Sequence, residues 1–237
     1  MPLADRTHET DWGLPSDPDV RRRRAVAAAA VLVYLSVIAV FTGVTLGIGG
    51  NPVPGIILIT GLGLFDLMTV GSQLLRRVSA QPVAAGGEPR FENLVAGLVK
   101  RMGIRAPRLY VFDAEGPNGF ACRKRGPVVG VSRRALTELN RTELEALIAH
   151  CLVRTHAPSM RLAPLACQAR FFARRMGPLV GPPVDVRASA VTRYPPGLIS
   201  VLEKCAPATG RYGPLFFAAA HPSHAPIPVR IAALSDL

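Results

Sequence analysis

His150 is the first residue in the chain whose type and setting invite chemistry. It lies in the run Glu143-Leu-Glu-Ala-Leu-Ile-Ala-His150-Cys151-Leu152-Val153-Arg154, where Leu144, Leu147, Ile148 and Cys151 recur at helical spacing. On such a helix an H-E-x-x-H pattern sets two imidazoles one turn apart on one face. There they ligate zinc, and the intervening carboxylate activates the metal-bound water. Only the first position of that pattern is kept: Cys151 stands where the Glu belongs and Arg154 where the second His belongs. A guanidinium is a permanent cation with no lone pair, so Arg154 repels a divalent ion as well as failing to bind it. Cys151 is a soft donor, but it sits one residue from His150, about 100° around the helix, and lacks the reach of a carboxylate base.

The remaining histidines do not repair the pattern by spacing. His156, His221 and His224 could join His150 and Cys151 in a rebuilt site, yet nothing in their separation compels it, and a hydrogen-bonded core histidine is the plainer role for His150. The four cysteines, Cys122, Cys151, Cys167 and Cys205, form no C-x-x-C pair. They read as buried thiols in a reducing compartment rather than a disulfide scaffold or zinc knuckle.

The elements that must position His150 are legible from local signals. Asn140 and Glu143 make an Asn-x-x-Glu capping box at the start of its helix, and Pro158 ends that helix at the latest. Ser132 caps a shorter helix running to Leu139. Phe91 to Met102 reads as an amphipathic helix stopped by Gly103. Short strands are expected at 108–112, 119–122 and 127–131, with the basic turn Arg123-Lys124-Arg125-Gly126 between the last two. Further helices are expected over 162–176, 184–193, 197–205 and 229–234. The spacing thus predicts an α+β domain, mostly helical with a small sheet, over residues 78–237.

Ahead of that domain the composition changes. Residues 1–24 are polar with five carboxylates and end in Arg21-Arg22-Arg23-Arg24, which predicts an unstructured tail. Ala25 to Ile48 is uncharged and apolar, about 36 Å as a helix, enough to cross a hydrocarbon core of about 30 Å. A Gly-Gly-Asn-Pro turn follows, and a second apolar run covers 55–75 before Arg76-Arg77. Residues 25–77 therefore predict a transmembrane hairpin. Arginines at both of its ends and none in its loop place both termini and the domain on the cytoplasmic side of the cell (inner) membrane. Asp66 in the second run is a costly intramembrane polar group. The whole chain carries a formal charge of +12, with 49% apolar and 19% charged residues. That balance excludes disorder and favours anionic lipid as a partner. Nucleic acid is not expected, because aromatics do not interleave with the basic clusters at 123–125 and at Arg170, Arg174 and Arg175.

Taken in order, the segment Leu109 to Cys122 with Asn118-Gly-Phe-Ala, the strand Val128-Val-Gly-Val131, the helix Arg141 to His150 and the preceding hairpin resemble the HtpX-like, CAAX-prenyl-protease-like membrane zinc metallopeptidases. Val184-Asp185 sits where that family has A-D, and His221-Pro222 precedes Arg230-Ile231 as in its terminal H-P-x-x-x-R-I element. The resemblance covers about residues 25–235, with a shortened stretch between the His150 helix and Asp185. It implies a zincin-type domain. It also places the family's first zinc ligand on His150, its base on Cys151, its second ligand on Arg154 and its third, four residues before the Asp, on Gly181.

Three of those four positions cannot serve zinc catalysis, so the chain is expected to be a degenerate member: a pseudopeptidase with no catalytic residue and no cofactor. An ion pair between Arg154 and Asp185 could fill the vacated site. Such a scaffold could bind a peptide or membrane-protein partner by strand addition along Gly119, Phe120, Ala121 and Cys122 or Val128 and Val129. A regulatory or quality-control role would follow. Two alternatives stand beside it: an active zinc metalloendopeptidase with rearranged ligands, and a membrane assembly subunit acting through the hairpin and Asp66.

Overall fold

Asn140 and Glu143 begin the element around which the domain is built. The Asn140 side chain accepts from the Glu143 amide at 2.9 Å, and the Glu143 carboxylate accepts from the Asn140 amide at 2.9 Å, closing the expected capping box. The same carboxylate takes Ser200 Oγ and Lys204 Nζ, each at 2.6 Å, and so ties this end of the helix to a later one. The computed structural model describes residues 35, 36, 40, 53–168 and 178–237.

In chain order these residues form α1 (Val53–Arg77), β1 (Gln81–Pro82), α2 (Pro89–Met102), β2 (Arg108–Phe112), β3 (Gly119–Arg123), β4 (Pro127–Ser132), α3 (Arg133–Glu138), α4 (Arg141–His156) and α5 (Ala163–Gln168). After them come α6 (Pro182–Thr192), α7 (Pro195–Lys204) and α8 (Ile227–Ser235), with short 3₁₀ turns at Pro158–Arg161 and Gly213–Leu215. The fold is α+β, as the spacing predicts. Ser132 caps α3 through the Ala135 amide at 3.1 Å, and Gly103 closes α2 in the left-handed conformation. Every α4 residue from Ala146 to Thr155 is buried, which a helix shows only when neighbours surround it. Here α6, α7, α2 and the sheet do so.

The sheet runs β1-β2-β4-β3. β2 and β4 are parallel, pairing Arg108 with Val128 through Phe112 with Ser132. β3 returns antiparallel to β4, Gly119 facing Val131. This order corrects the expected binding edge. Val128 and Val129 lie in a strand paired on both sides, so they offer no free backbone. β3 is an edge, but its outer side is covered by the chain itself: Phe216 bridges to Phe120, and the Phe217 amide donates to Gly119 O at 2.7 Å. Gly119 to Cys122 are accordingly buried. Phe112, Phe120 and Phe216 pack as tilted and edge-on rings with centroids 5.2–6.2 Å apart, which joins this covering segment to the core.

The first expected span and the expected tail lie outside the described residues, apart from Leu35, Ser36 and Val40, as do Arg170, Arg174 and Arg175. Leu35 Cδ2 is 3.9 Å from where a Cβ on Gly63 would stand, so the two apolar runs meet at that point. Over the second run α1 is one continuous helix, and its faces differ from those of a simple span. Ile57, Leu62, Leu64, Phe65 and Met68 are exposed, whereas Val70, Leu74 and Leu75 are core. Among the described residues no helix is long and apolar enough to cross a membrane. Asp66, the intramembrane polar group of the second run, reaches the domain: its carboxylate accepts from Gln73 and Gln168 and lies 3.4 Å from Arg211 Nη2.

Gly130 shows how tightly the sheet is built, since a Cβ there would fall 2.3 Å from the Phe120 ring. G130A is expected to destabilise the full chain by about 1–3 kcal/mol, whereas G97A, on an open helical face with nothing within 4 Å, should stabilise it by about 1 kcal/mol. Thermal melts of both in detergent check the pair, and similar shifts for the two would contradict this packing.

Candidate functional site

His150 is fully buried and central on α4. Its Nδ1 lies 3.0 Å from Asp185 Oδ1, a contact distance, though the ring N–H is not aligned for a full hydrogen bond. Its edge meets the Phe217 ring, centroids 4.8 Å apart. Asp185 is delivered by the first turn of α6 and is itself 0% exposed. The carboxylate is gripped by Arg230 of α8, Nε to Oδ2 at 2.8 Å and Nη2 to Oδ1 at 2.7 Å, a fork geometry that only a guanidinium offers. Arg230 also donates to Phe217 O at 2.9 Å and stacks over the Phe217 ring at 4.9 Å.

This arrangement corrects the expected Arg154–Asp185 ion pair. Arg230 holds Asp185, and Arg154 turns to the covering segment instead, donating Nη1 to Phe216 O at 2.7 Å and Nη2 to Pro214 O. Arg154 is 1% exposed, so a full positive charge is buried against two backbone carbonyls. Asn118 fixes the same segment from the other side. Its Nδ2 donates to Ala218 O at 2.9 Å and to Ala206 O at 2.7 Å, and its Oδ1 accepts from the Gly119 and Ala218 amides.

Burial dominates the electrostatics. It pushes the His150 imidazole from 6.5 down to about 4, against the opposing pull of Asp185. Burial alone would raise Asp185, but the two-pronged bond from Arg230 and the close His150 ring bring it down to about 2. The Cys151 thiol is pushed up to about 12 by burial, and Arg154 is drawn down to about 10, still charged at neutral pH. His224 falls well below 6.5, again chiefly by burial.

The zinc ion that the resemblance implies does not fit these groups. His150 keeps one free donor atom, Nε2, which has no hydrogen-bond partner among the described residues. Cys151 holds its proton and faces Gly119, where its Sγ would sit 3.1 Å from an added Cβ. Arg154 brings positive charge to the second ligand position. Gly181 precedes α6 without a side chain, and a Cβ there would meet that of Ala225 at 3.0 Å. The other histidines are drawn elsewhere: His156 to Thr155 and Leu152 O on the exposed end of α4, His221 to Ser223, and His224 to Gly213 O. Among the described residues no group of three or more His, Cys, Asp or Glu side chains could hold a metal ion. The chemistry left to this set is hydrogen bonding and charge.

Sequence reasoning missed Arg230, Phe217 and the covering segment. The His221-Pro222…Arg230-Ile231 element marked the right region, but nothing local tells that Arg230 would enter the core.

Comparison with known proteins agrees with this framework over part of its length. No family model matches the chain. Among curated proteins it is similar to a "Protease HtpX homolog" of Gemmatimonas aurantiaca, 31% identical over 134 residues, which is 56% of this chain and 48% of that protein. The protein of the same name from Thermodesulfovibrio yellowstonii is 27% identical over 138 residues, 57% of this chain and 49% of the relative. That from Dictyoglomus turgidum is 29% identical over 164 residues, 50% and 54%. The chain thus spans about half the length of the curated relatives it matches, and these similarities support an HtpX-like family.

Buried neutral histidines make the domain acid-sensitive. An unfolded chain protonates each near pH 6.5 while the folded chain does not, so the unfolded state binds more protons and stability falls as pH drops from 6.5 to about 4. His150 accounts for on the order of 3 kcal/mol of that loss. The Asp185 contribution survives until pH passes 3.8 toward about 2. Thermal midpoints of the full chain in detergent between these limits should show a slope that shrinks in H150Q. An unchanged slope would contradict the assignment.

Proposed function

We propose that this chain is a membrane-anchored pseudopeptidase of HtpX-like type, which keeps the peptidase scaffold and works without metal or hydrolysis. One observation carries the reading: Arg154, at the family's second ligand position, is buried with its guanidinium bonded to the carbonyls of Phe216 and Pro214. A fixed cation there excludes a divalent one by repulsion and by lack of donor electrons. The Asp185 contact to His150 is of the kind that orients a zinc ligand, and with the unpartnered Nε2 it is what favours the rival reading of an active zinc metalloendopeptidase. A single imidazole beside a guanidinium is too little to hold catalytic zinc.

The exposed apolar face of α1 and the flanking arginines support anchoring in the cell (inner) membrane with the domain on the cytoplasmic side. A role in regulation or quality control fits such a scaffold, through a peptide or membrane-protein partner. Strand addition at β3 would require the partner to displace residues 214–218. Asp66 is taken up by Gln73, Gln168 and Arg211, which leaves the assembly-subunit reading little to act through.

The test rebuilds the site. The full chain in detergent is expected to hold no stoichiometric zinc and to cleave an unfolded protein substrate no faster than buffer. A variant carrying C151E, R154H and G181E, with A225G to relieve the Ala225 contact, should bind zinc at a ratio of about one. Chelator-sensitive cleavage by the wild-type chain, abolished by H150A, would overturn the proposal.

A further inference from the structure

The C-terminal half of α1 carries a second polar feature that the peptidase-like site does not use. Positions 65, 68, 72 and 76 follow one another along one side of the helix, and Ser79 stands just past its end. Phe65 and Met68 are exposed apolar side chains, 66% and 73%. Ser72 follows a turn later, Arg76 two turns later, and Ser79 is turned back by a left-handed residue of its own, φ 49°. Ser72, Arg76 and Ser79 line a cleft of about 380 Å³ together with Tyr110 of β2 and Lys124 of the β3–β4 turn, with Leu75 beside them. No acidic residue lines it, and among the described residues neither Arg76 nor Lys124 is in an ion pair.

Lys124 is brought there by a specific contact. Gly71 lets α1 approach the β3–β4 turn so closely that an added Cβ would lie 2.6 Å from Arg123 O. The basic turn is thereby locked to α1 about 4.5 Å below Met68, and Arg76 lies about 12 Å below it along the axis. The layer of lipid head groups is about 5–8 Å thick on each side of the hydrocarbon. If exposed Phe65 and Met68 face acyl chains, Lys124 and the flexible Arg76 head meet phosphate, with the serine and tyrosine hydroxyls as further donors. Arg76 alone would be accounted for by the negative end of the helix dipole. Lys124 comes from another element and is not.

We propose that this cleft is a binding site for the phosphate of an anionic phospholipid, whose acyl chains run up the Phe65–Met68 face. The inference rests on the membrane anchoring proposed above and is independent of whether the His150 site binds metal.

The test uses the full chain in nanodiscs of mixed phosphatidylglycerol and phosphatidylcholine, released into the gas phase for native mass spectrometry of retained lipid. Wild type should retain phosphatidylglycerol in preference. K124Q should lower that preference about fivefold and R76Q/K124Q about thirtyfold, while R125Q, which does not line the cleft, leaves it within about twofold. Thermal midpoints of the variants should match wild type. Loss of retention on adding inorganic phosphate alone would mean a free-phosphate site and overturn the lipid assignment. Equal retention of both lipids, or an effect of R125Q equal to that of K124Q, would overturn the site. Failure of the chain to enter zwitterionic discs at all would overturn the anchoring, and the inference with it.

Discussion

A guanidinium buried against two peptide carbonyls is the constraint around which this domain is arranged. Arg154 is fully charged at neutral pH, has no carboxylate within ion-pair distance among the described residues, and is stabilised by the oxygens of Phe216 and Pro214. An unpaired buried charge is among the costliest features a fold can hold. The segment around 214–218 therefore cannot wander: Arg154 fixes its carbonyls, β3 takes its Phe217 amide, Asn118 clamps Ala218, and the Phe112, Phe120 and Phe216 rings fill the space behind it. The edge of the sheet is closed as a consequence.

Beside it the second buried charge is paired. Asp185 and Arg230 join α6 to α8 across the core, and His150 on α4 completes the contact. This is the arrangement that would orient an imidazole toward a metal, retained next to a group that excludes one. The two guanidiniums share one small volume, and each is satisfied by a different acceptor type, carboxylate for Arg230 and carbonyl for Arg154. Arg230 reaches Asp185 from α8 while Arg154 is engaged by the carbonyls of Phe216 and Pro214, so the Arg154–Asp185 pair is not the one formed.

What could be read from sequence was local. Asn140 and Glu143, Ser132, Gly103 and the short runs of β2 and β4 each act over a few residues, and the elements they mark lie within a residue or two of the expected place. The family framework was legible because its motifs are short and ordered. The long-range pairings were not. Arg230 meets Asp185 across 45 residues, Gln168 meets Asp66 across 102, and Arg211 meets it across 145. An arginine in a terminal helix gives no local sign of whether it will be buried. The 214–218 segment, Pro-Leu-Phe-Phe-Ala, is equally silent because it is too short to show a period, and what it pairs with is set by what it packs on. The lower turns of α1 misled for a related reason: Val70, Leu74 and Leu75 are as apolar as a lipid-facing run, and only packing tells that they meet protein instead.

The central claim is that Arg154, with no metal, closes this site. Hydrogen exchange at residues 213–218 tests it most directly, on the full chain in detergent washed with chelator. The account predicts strong protection of the Phe217 amide in washed wild type, unchanged on adding zinc, and its loss in R154Q. Protection that appears only with zinc, or that R154Q leaves intact, would contradict it.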